Sequence, residues 1–355
     1  MNKQIRPNRK LVRKLYKLCS KALHDKLGIN FAKNSKHKDM IKPLIYISIN
    51  NASAESLKYT KGFPSPDTLL RRLESLDLKH VVDALNEANR VILSGHAKDG
   101  MKMAIDFTEE PYYGKLDMYV TRSKYKSGTY TFHTFATISV VGKDEKERLT
   151  LYSLPVTMLD TKEDIVKKLL ENSPRPSVLL MDRGFFKTEM IKLLQSMGIN
   201  FIMPAVRNER IKRMLNEYAK GNIPSVTEYE MGSKVYLVIA KKKGSKEEDK
   251  PDDKFIAFVT NIKFDDPERI VSVIPEEYRY RWGIETSYRV EDGFEAKTTS
   301  RNFTLRVIYF MLSIILYNLW ILTRVEVQGT AITVYFFKHI VKTEIIIVSG
   351  LGPPE

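Results

Sequence analysis

At 355 residues the chain has room for two or three domains with full hydrophobic cores, and 43% apolar residues is an ordinary content for a water-soluble protein. The net charge of +15 is front-loaded: residues 1–42 carry thirteen Lys or Arg against two Asp, which calls for a polyanionic partner or, failing that, a surface kept basic for solubility. Cys19 stands alone, so an internal disulfide is excluded and a reducing compartment suits the chain; six scattered histidines argue against zinc and leave any metal to carboxylates.

No apolar run follows the first charges closely enough to read as a signal peptide. Residues 8–27 place Leu11, Leu15, Leu18 and Leu23 on one side and Arg9, Lys10, Arg13, Lys14, Lys17 and Lys21 around the other, the pattern of a basic amphipathic helix. Such a helix can lie along DNA, lie on an anionic membrane or pack on its neighbours, and periodicity leaves all three open. Residues 53–59 lead through Gly62-Phe-Pro to a helix opened by Ser65 as N-cap and Pro66 at its first position. The pair is compatible with a helix-turn-helix in which Arg71 and Arg72 reach DNA, although a plain helical hairpin is the simpler reading. Helical pattern continues over 76–91.

From Met101 the pattern becomes that of strands. Met101, Met103 and Ile105 alternate with Lys102, Ala104 and Asp106, which puts Asp106 near the end of a half-exposed strand, opposite the methionines. Residues 129–141 and 149–154 are β-branched or aromatic and suggest an antiparallel three-stranded start. Thr161-Lys-Glu-Asp resembles a capping box and opens a helix whose apolar side is Ile165, Val166, Leu169 and Leu170. The run 177–181 is continuously apolar, as in a strand buried on both faces, with Asp182 at its carboxyl end and Arg183-Gly184 in the turn. A helix over 187–197 stops at Gly198, and 201–206 is another buried strand. This alternation is an α/β core, in which reactive groups collect where strands end.

Between 207 and 275 the apolar runs 234–240 and 255–260, parted by a long charged loop, predict a β-hairpin inserted into the core. Residues 278–289 read as a helix with Tyr278, Arg281, Glu285 and Tyr288 on one face. Residues 305–322 are the most apolar stretch, but Arg306, Ser313, Asn318 and Arg324 interrupt or flank it. It falls short of the about 20 apolar residues a membrane span needs and reads as a buried core helix. The last segment, rich in Ile, Val and Phe, shows no amphipathic pattern.

Three carboxylates thus stand on separate elements: Asp106, Asp182 and Glu285. Magnesium prefers oxygen ligands and is commonly held by one or two carboxylates with substrate phosphate. Two such ions about 3.5–4 Å apart serve phosphodiester cleavage and strand transfer, and an arginine such as Arg281 can grip a phosphate bidentately. Taken singly, Asp182 could be a turn former, Asp106 a strand-end cap and Glu285 a partner for Arg281 or Arg289. Jointly, and with the basic N-terminus, they favour chemistry.

Over residues 104–320 the sequence resembles the DDE transposases of bacterial and archaeal insertion sequences, whose catalytic domain is ribonuclease-H-like. Asp106-Phe-Thr-Glu-Glu-Pro-Tyr-Tyr-Gly resembles the first motif of an archaeal branch and Met181-Asp-Arg-Gly-Phe-Phe the second. Tyr278, Arg281 and Glu285 match the Tyr-two-Arg-three-Glu signature in identity and spacing. The resemblance implies that Asp106, Asp182 and Glu285 bind catalytic Mg2+, or Mn2+ in its place, and that Tyr278 and Arg281 contact phosphate near the cut end. The signature's final lysine is replaced by Asp292; Lys297 lies about 120° round a straight helix from Glu285 unless Gly293 breaks it, and Arg289 is the other substitute.

The expected fold is α/β: a ribonuclease-H-like mixed sheet with flanking helices, a β-rich insertion and an N-terminal helical domain. The expected organisation is a basic DNA-binding domain over 1–95, a catalytic core over 96–206, the insertion over 207–275, catalytic helices over 276–326 and a tail over 327–355. The implied activity is cleavage of terminal inverted repeats and joining of the 3′ ends to target DNA, by a dimer on double-stranded DNA. Tyr278, Arg281, Arg289, Lys297, Arg183, Arg71 and Arg72 are the candidate DNA contacts. A cytoplasmic, nucleoid-associated location away from membranes is expected. The alternatives are a ribonuclease-H-like nuclease or resolvase without strand transfer, and a non-catalytic DNA-binding transposase descendant.

Overall fold

The computed structural model describes residues 9–29, 39–142, 148–325 and 332–348. Strand β1 (Lys102–Pro111) pairs antiparallel with β3 (Thr129–Val140), and β3 pairs antiparallel with β4 (Thr150–Val156). Helix α5 (Lys162–Glu171) then leads to β5 (Val178–Leu180), and α6 (Thr188–Ser196) leads to β6 (Phe201–Pro204). Both strands run parallel in register, β5 beside β1 and β6 beside β5. Three antiparallel strands followed by two parallel ones, in the order β4-β3-β1-β5-β6, make a ribonuclease-H-like sheet. The caps read from the sequence form: the Thr161 hydroxyl accepts from the Asp164 N–H at 3.1 Å, satisfying one orphan donor of α5.

The sheet is larger than the sequence suggests at both edges. β2 (Thr121–Lys126), for which no strand is predicted, pairs with the outer part of β3. Its Arg-Ser-Lys-Tyr-Lys run has no apolar alternation because four of its six residues are exposed. After α7 (Glu209–Ala219) and β7 (Val226–Glu230), the strands β8 (Lys234–Lys241) and β9 (Phe255–Thr260) form the expected hairpin, with the short α8 (Pro251–Lys254) inside its loop. This hairpin joins the sheet: β9 pairs antiparallel with β6, opposing Ile202 to Thr260. The nine strands among the described residues therefore form one sheet.

On one face lie α1 (Arg9–Leu27), α2 (Ile41–Ile49), α3 (Pro66–Glu74), α4 (Leu78–Ile92) and, much further along the chain, α11 (Phe303–Val325). One hydrophobic core runs from Val12 through Leu85 and Phe135 to Leu312 and Phe337. In α1 the buried stripe is Val12, Leu15, Tyr16, Cys19 and Leu23; Leu18, expected inside, is exposed. Arg9, Lys10, Arg13, Lys14, Lys17 and Lys21 are all exposed, so the helix packs on its neighbours and still presents a basic outer face. Helix α11 is long and apolar enough to cross a membrane, but 94% of its most apolar window is buried against the rest of the protein.

Amides fasten these helices to the sheet. The free edge of β4 would leave backbone groups unpaired in the core, a costly state. Asn86 of α4 accepts from the Ser153 N–H at 3.1 Å and donates to its C=O at 2.9 Å, as a neighbouring strand would. Asn89 donates to the Thr150 and Leu151 carbonyls, and Asn318 of α11 exchanges bonds with Thr150 and donates to Asn89.

The C-terminal segment, expected to lack pattern, contains α12 (Val334–Val348). Phe337, Ile340, Val341 and Ile345 recur at helical spacing and are buried, and Arg13 of α1 pairs with Glu344. The β-branched Ile345-Ile-Ile-Val run hides that spacing from composition. Residues 327–331 and 349–355 of the expected tail, like residues 1–8 of the basic N-terminus, lie outside the described residues.

Candidate active site

Strand β1 continues five residues past Asp106 to Pro111, so Asp106 sits mid-strand and not near the strand's end as the alternation suggested. The longer strand exists because β3 pairs with it throughout, opposing Asp106 to Thr137 and Pro111 to Phe132. On its other side β5 pairs only as far as Ala104, so Asp106 lies just where the parallel pairing ends. Asp182 follows β5 by two residues and caps a single 3-10 turn (Arg183–Phe185), its carboxylate accepting from the Gly184 N–H at 2.6 Å. A side chain at 184 would put its Cβ 2.9 Å from that carboxylate oxygen and 3.3 Å from Lys162 Nζ, which accounts for the glycine.

The third group comes from two helices, not one. α9 (Pro267–Arg279) starts at the Asp266 cap and Pro267, within the stretch assigned to the insertion, because Pro275 lies inside a helix that the sequence reading began after it. A tight turn follows, in which Arg281 N–H donates to the Tyr278 carbonyl at 3.0 Å and Gly283 N–H to the Tyr280 carbonyl at 2.9 Å. α10 (Trp282–Glu291) then carries Glu285. The break leaves both Tyr278 and Arg281 close to the carboxylates.

Arg281 is the centre of the site. Its side chain is only 8% exposed; Nη1 lies 2.9 Å from Glu285 Oε1, and Nη2 lies 3.4 Å from Asp106 Oδ1 and 3.9 Å from Asp182 Oδ2. Three carboxylates around one guanidinium leave the cluster with excess negative charge. Burial pushes Asp106 up to about 6 against the pull of Arg281, and the charges of Asp182 and Glu285 add to the rise. Burial likewise pushes the Tyr278 hydroxyl up to about 12, and its ring packs on Phe258 at 5.2 Å. Arg281 Nε is buried with no hydrogen-bond partner among the described residues.

An all-oxygen, net-negative donor set suits a hard divalent cation. Among the described residues no three acidic, His or Cys side chains already surround a common point tightly enough to hold an ion. The guanidinium lies between them instead, and it meets the cluster's need for a cation. The residues present fit a magnesium-type ion in donor chemistry and charge.

Beneath the site the Tyr288 hydroxyl hydrogen-bonds Thr137 of β3, the strand partner of Asp106, and so fixes α10 against β3. Glu291 is 2% exposed; one oxygen accepts from Thr150 Oγ1 at 2.9 Å and the other has no partner among the described residues. Burial pushes this carboxyl up to about 8, so it is largely protonated at neutral pH. A carboxyl raised in the folded state binds more protons there than in the unfolded chain. Its stabilisation is therefore whole at acid pH and falls between its unfolded value of about 4.3 and about 8, by at most about 1.4 kcal/mol per pH unit. Denaturant midpoints measured from pH 5 to pH 8 should decline, and Glu291→Gln should remove roughly one proton's share of that decline. An unchanged slope in the glutamine variant would show that Glu291 is ionised in the fold.

Other residues anticipated from the sequence are partly gathered here. Arg183 is exposed one position after Asp182, and Arg289 is exposed one turn after Glu285. Lys297 is held elsewhere: the helix ends at Glu291, a 3-10 turn (Asp292–Phe294) follows, and Lys297 N–H donates to the Ala52 carbonyl at 3.0 Å. Its side chain is exposed, with no contact to the three carboxylates. Arg71 and Arg72 lie exposed on α3, which packs against α11. Sequence reasoning missed Lys162, which looks like an ordinary first helical residue. Its Nζ donates to the Gly184 carbonyl at 3.1 Å and lies over the Phe185 ring, bringing a second cation beside Asp182.

Sheet order and site together put the chain in the ribonuclease-H-like class. Residues 103–319 match the transposase DDE domain, and the chain belongs to that family. Among solved structures it is similar to the piggyBac transposase in a synaptic complex with hairpin DNA, determined by cryo-EM. The two share 13% identity at a TM-score of 0.62, over 98% of this chain and 81% of that one. At this identity the likeness speaks for the fold alone. The Drosophila P element transposase strand transfer complex aligns at 14% identity over 96% of this chain and 86% of that one, with a TM-score of 0.26, too low to carry an argument. No curated protein sequence matches.

Proposed function

We propose that this chain is a DNA transposase of an insertion sequence, which cleaves the terminal inverted repeats of its element and joins the 3′ ends to target DNA. The observation that carries the reading is the convergence of Asp106, Asp182 and Glu285, from a strand, a turn and a helix, on the single guanidinium of Arg281. Mg2+, or Mn2+ in its place, held by these carboxylates would supply activation of a water or 3′ hydroxyl and neutralisation of phosphoryl charge.

The chain's own groups do the rest. Arg281 has the planar fork to pass from carboxylates to a pair of phosphate oxygens. The Tyr278 hydroxyl, kept protonated by burial, donates a hydrogen bond beside it. Lys162, Arg183 and Arg289 offer cations to the flanking backbone. The exposed basic face of α1, within the proposed DNA-binding segment 1–95, supplies sequence-independent attraction, with Arg71 and Arg72 as further contacts. Two element ends require two such sites, hence a dimer on DNA in the nucleoid.

The test is incubation of the purified chain with end-labelled DNA carrying the terminal repeat, in Mg2+, in Mn2+ and in chelator. Metal-dependent nicks at the repeat boundary together with joined products are expected. Cleavage that never yields joined DNA would reduce the reading to a nuclease, and binding without cleavage in either metal would overturn the catalytic reading.

A further inference from the structure

The β2–β3 ribbon carries a feature that the catalytic reading does not use. Lys126 and Thr129 pair across a two-residue turn, Ser127-Gly128, whose φ angles are 52° and 79°. Left-handed backbone at both central positions is the hairpin turn that matches strand twist, and Gly128 takes it at little cost. The chain just past β1 is tied to the same tip: the Tyr113 hydroxyl donates to the Ser127 carbonyl at 2.6 Å, and Thr131 Oγ1 donates to the Tyr112 carbonyl at 2.6 Å. The ribbon end is therefore braced.

This braced tip displays its aromatic rings to water. Tyr113, Tyr125 and Tyr130 are 70%, 62% and 61% exposed, and the last two rings stand 4.9 Å apart. Interleaved with them are Arg122, Lys124 and Lys126, all exposed and none ion-paired to a described residue. Exposed aromatics on an edge strand are a liability unless something covers them. Lys126 also lines a cleft of about 360 Å³ that reaches Asp106 and Tyr288 along β1. Of the three clustered carboxylates Asp106 alone lines this cleft, with Glu109, Glu110, Asp292 and Glu295 along its wall, so the cleft places the basic ribbon tip at one edge of the site.

We propose that this ribbon is a stacking platform for unpaired bases of the DNA strand that enters the site, a proposal that rests on the transposase reading above. Aromatic faces interleaved with cations are how proteins hold single strands, because unpaired bases have free faces and their backbone keeps its charge. Duplex bases are already stacked, so the cations alone would serve for duplex, and the three tyrosines indicate an unpaired strand.

The test uses the full chain and two labelled probes, a short oligo-dT strand and a blunt duplex of mixed sequence. Tyr125→Ser with Tyr130→Ser removes two solvent-facing rings and no charge; Tyr125→Phe with Tyr130→Phe keeps the faces and serves as the conservative control. With two stacking rings lost, the serine pair should weaken oligo-dT binding by about thirtyfold or more and leave duplex binding within about twofold, while the phenylalanine pair binds both probes as the parent does. Matching melting curves for the three proteins establish the fold. Unchanged oligo-dT binding by the serine pair, or equal weakening towards both probes, would overturn the platform while leaving the transposase reading intact. A change of oligomeric state with oligo-dT binding retained would make the ribbon a protein interface and overturn it likewise. A parent chain that binds neither probe would bring down both readings together.

Discussion

Asp106→Asn, Asp182→Asn and Glu285→Gln are each expected to lower metal-dependent cleavage of terminal-repeat DNA by at least about a thousandfold, the scale seen when one member of a catalytic unit is removed. Each amide keeps the shape of its acid and withdraws one negative charge from the cluster around Arg281. Stability should not suffer. Asp106, whose side chain is 16% exposed, is held at about 6 by burial, so its amide relieves an unfavourable ionisation at neutral pH. Glu285 and Asp182 are about half exposed, where a pair with arginine is worth little. DNA affinity should hold or rise slightly, since a negative charge leaves the path of a polyanion. Parallel measurement of melting temperature, duplex affinity and cleavage rate separates these effects. A variant that still cleaves within about tenfold of the parent would take its residue out of the site, and equal losses at all three would mark one centre built from 180 residues of sequence.

Local patterns in the sequence carried much of this architecture. The Ser65 and Thr161 caps, the buried strand before Asp182 and the hairpin of β8 and β9 are all written in spacing and composition within a dozen or two residues. The elements that escaped are those whose reason lies in a distant partner. β2, a strand because β3 extends beside it, shows no alternation of its own, while α12 is a helix packed on α1 and α2 whose buried spacing is obscured by the run Ile345-Ile-Ile-Val. Asn86, Asn89 and Asn318 look like polar interruptions, yet they replace the missing neighbour of β4. At the site, helical spacing gives the Arg281–Glu285 pair directly. The Arg281–Asp106 contact spans 175 residues and can only come from the sheet that brings β1, β5 and α10 together. Helix propensity also misled at Pro275, where a proline sits one turn before Tyr278 inside α9.

The central place of Arg281 makes the second large effect a matter of stability. Arg281→Met should cost about 1.4 kcal/mol at pH 7 and about as much again per further pH unit, since it leaves the largely buried Asp106 without its cation and the carboxyl must then take up a proton. The sign follows from where the proton goes. In the parent, Asp106 already lies above its unfolded value, and removing Arg281 takes away the strongest influence holding it down. The variant's folded state then keeps, above about pH 6, a proton that the parent's folded state releases, so its deficit relative to the parent is small below about pH 6 and grows as pH rises beyond it. Arg281→Lys should restore only part, because a point charge cannot fork between Glu285 and Asp106. Adding Asp106→Asn to the methionine variant should recover most of the loss, the non-additivity expected of groups in one network. If the carboxylates need a cation of any kind, millimolar Mg2+ should also raise the melting temperature of the methionine variant more than that of the parent, by ordinary binding linkage. A methionine variant as stable as the parent at both pH 4 and pH 7 would show that the guanidinium does not neutralise this cluster. The carboxylates would then have to be held apart by the backbone alone.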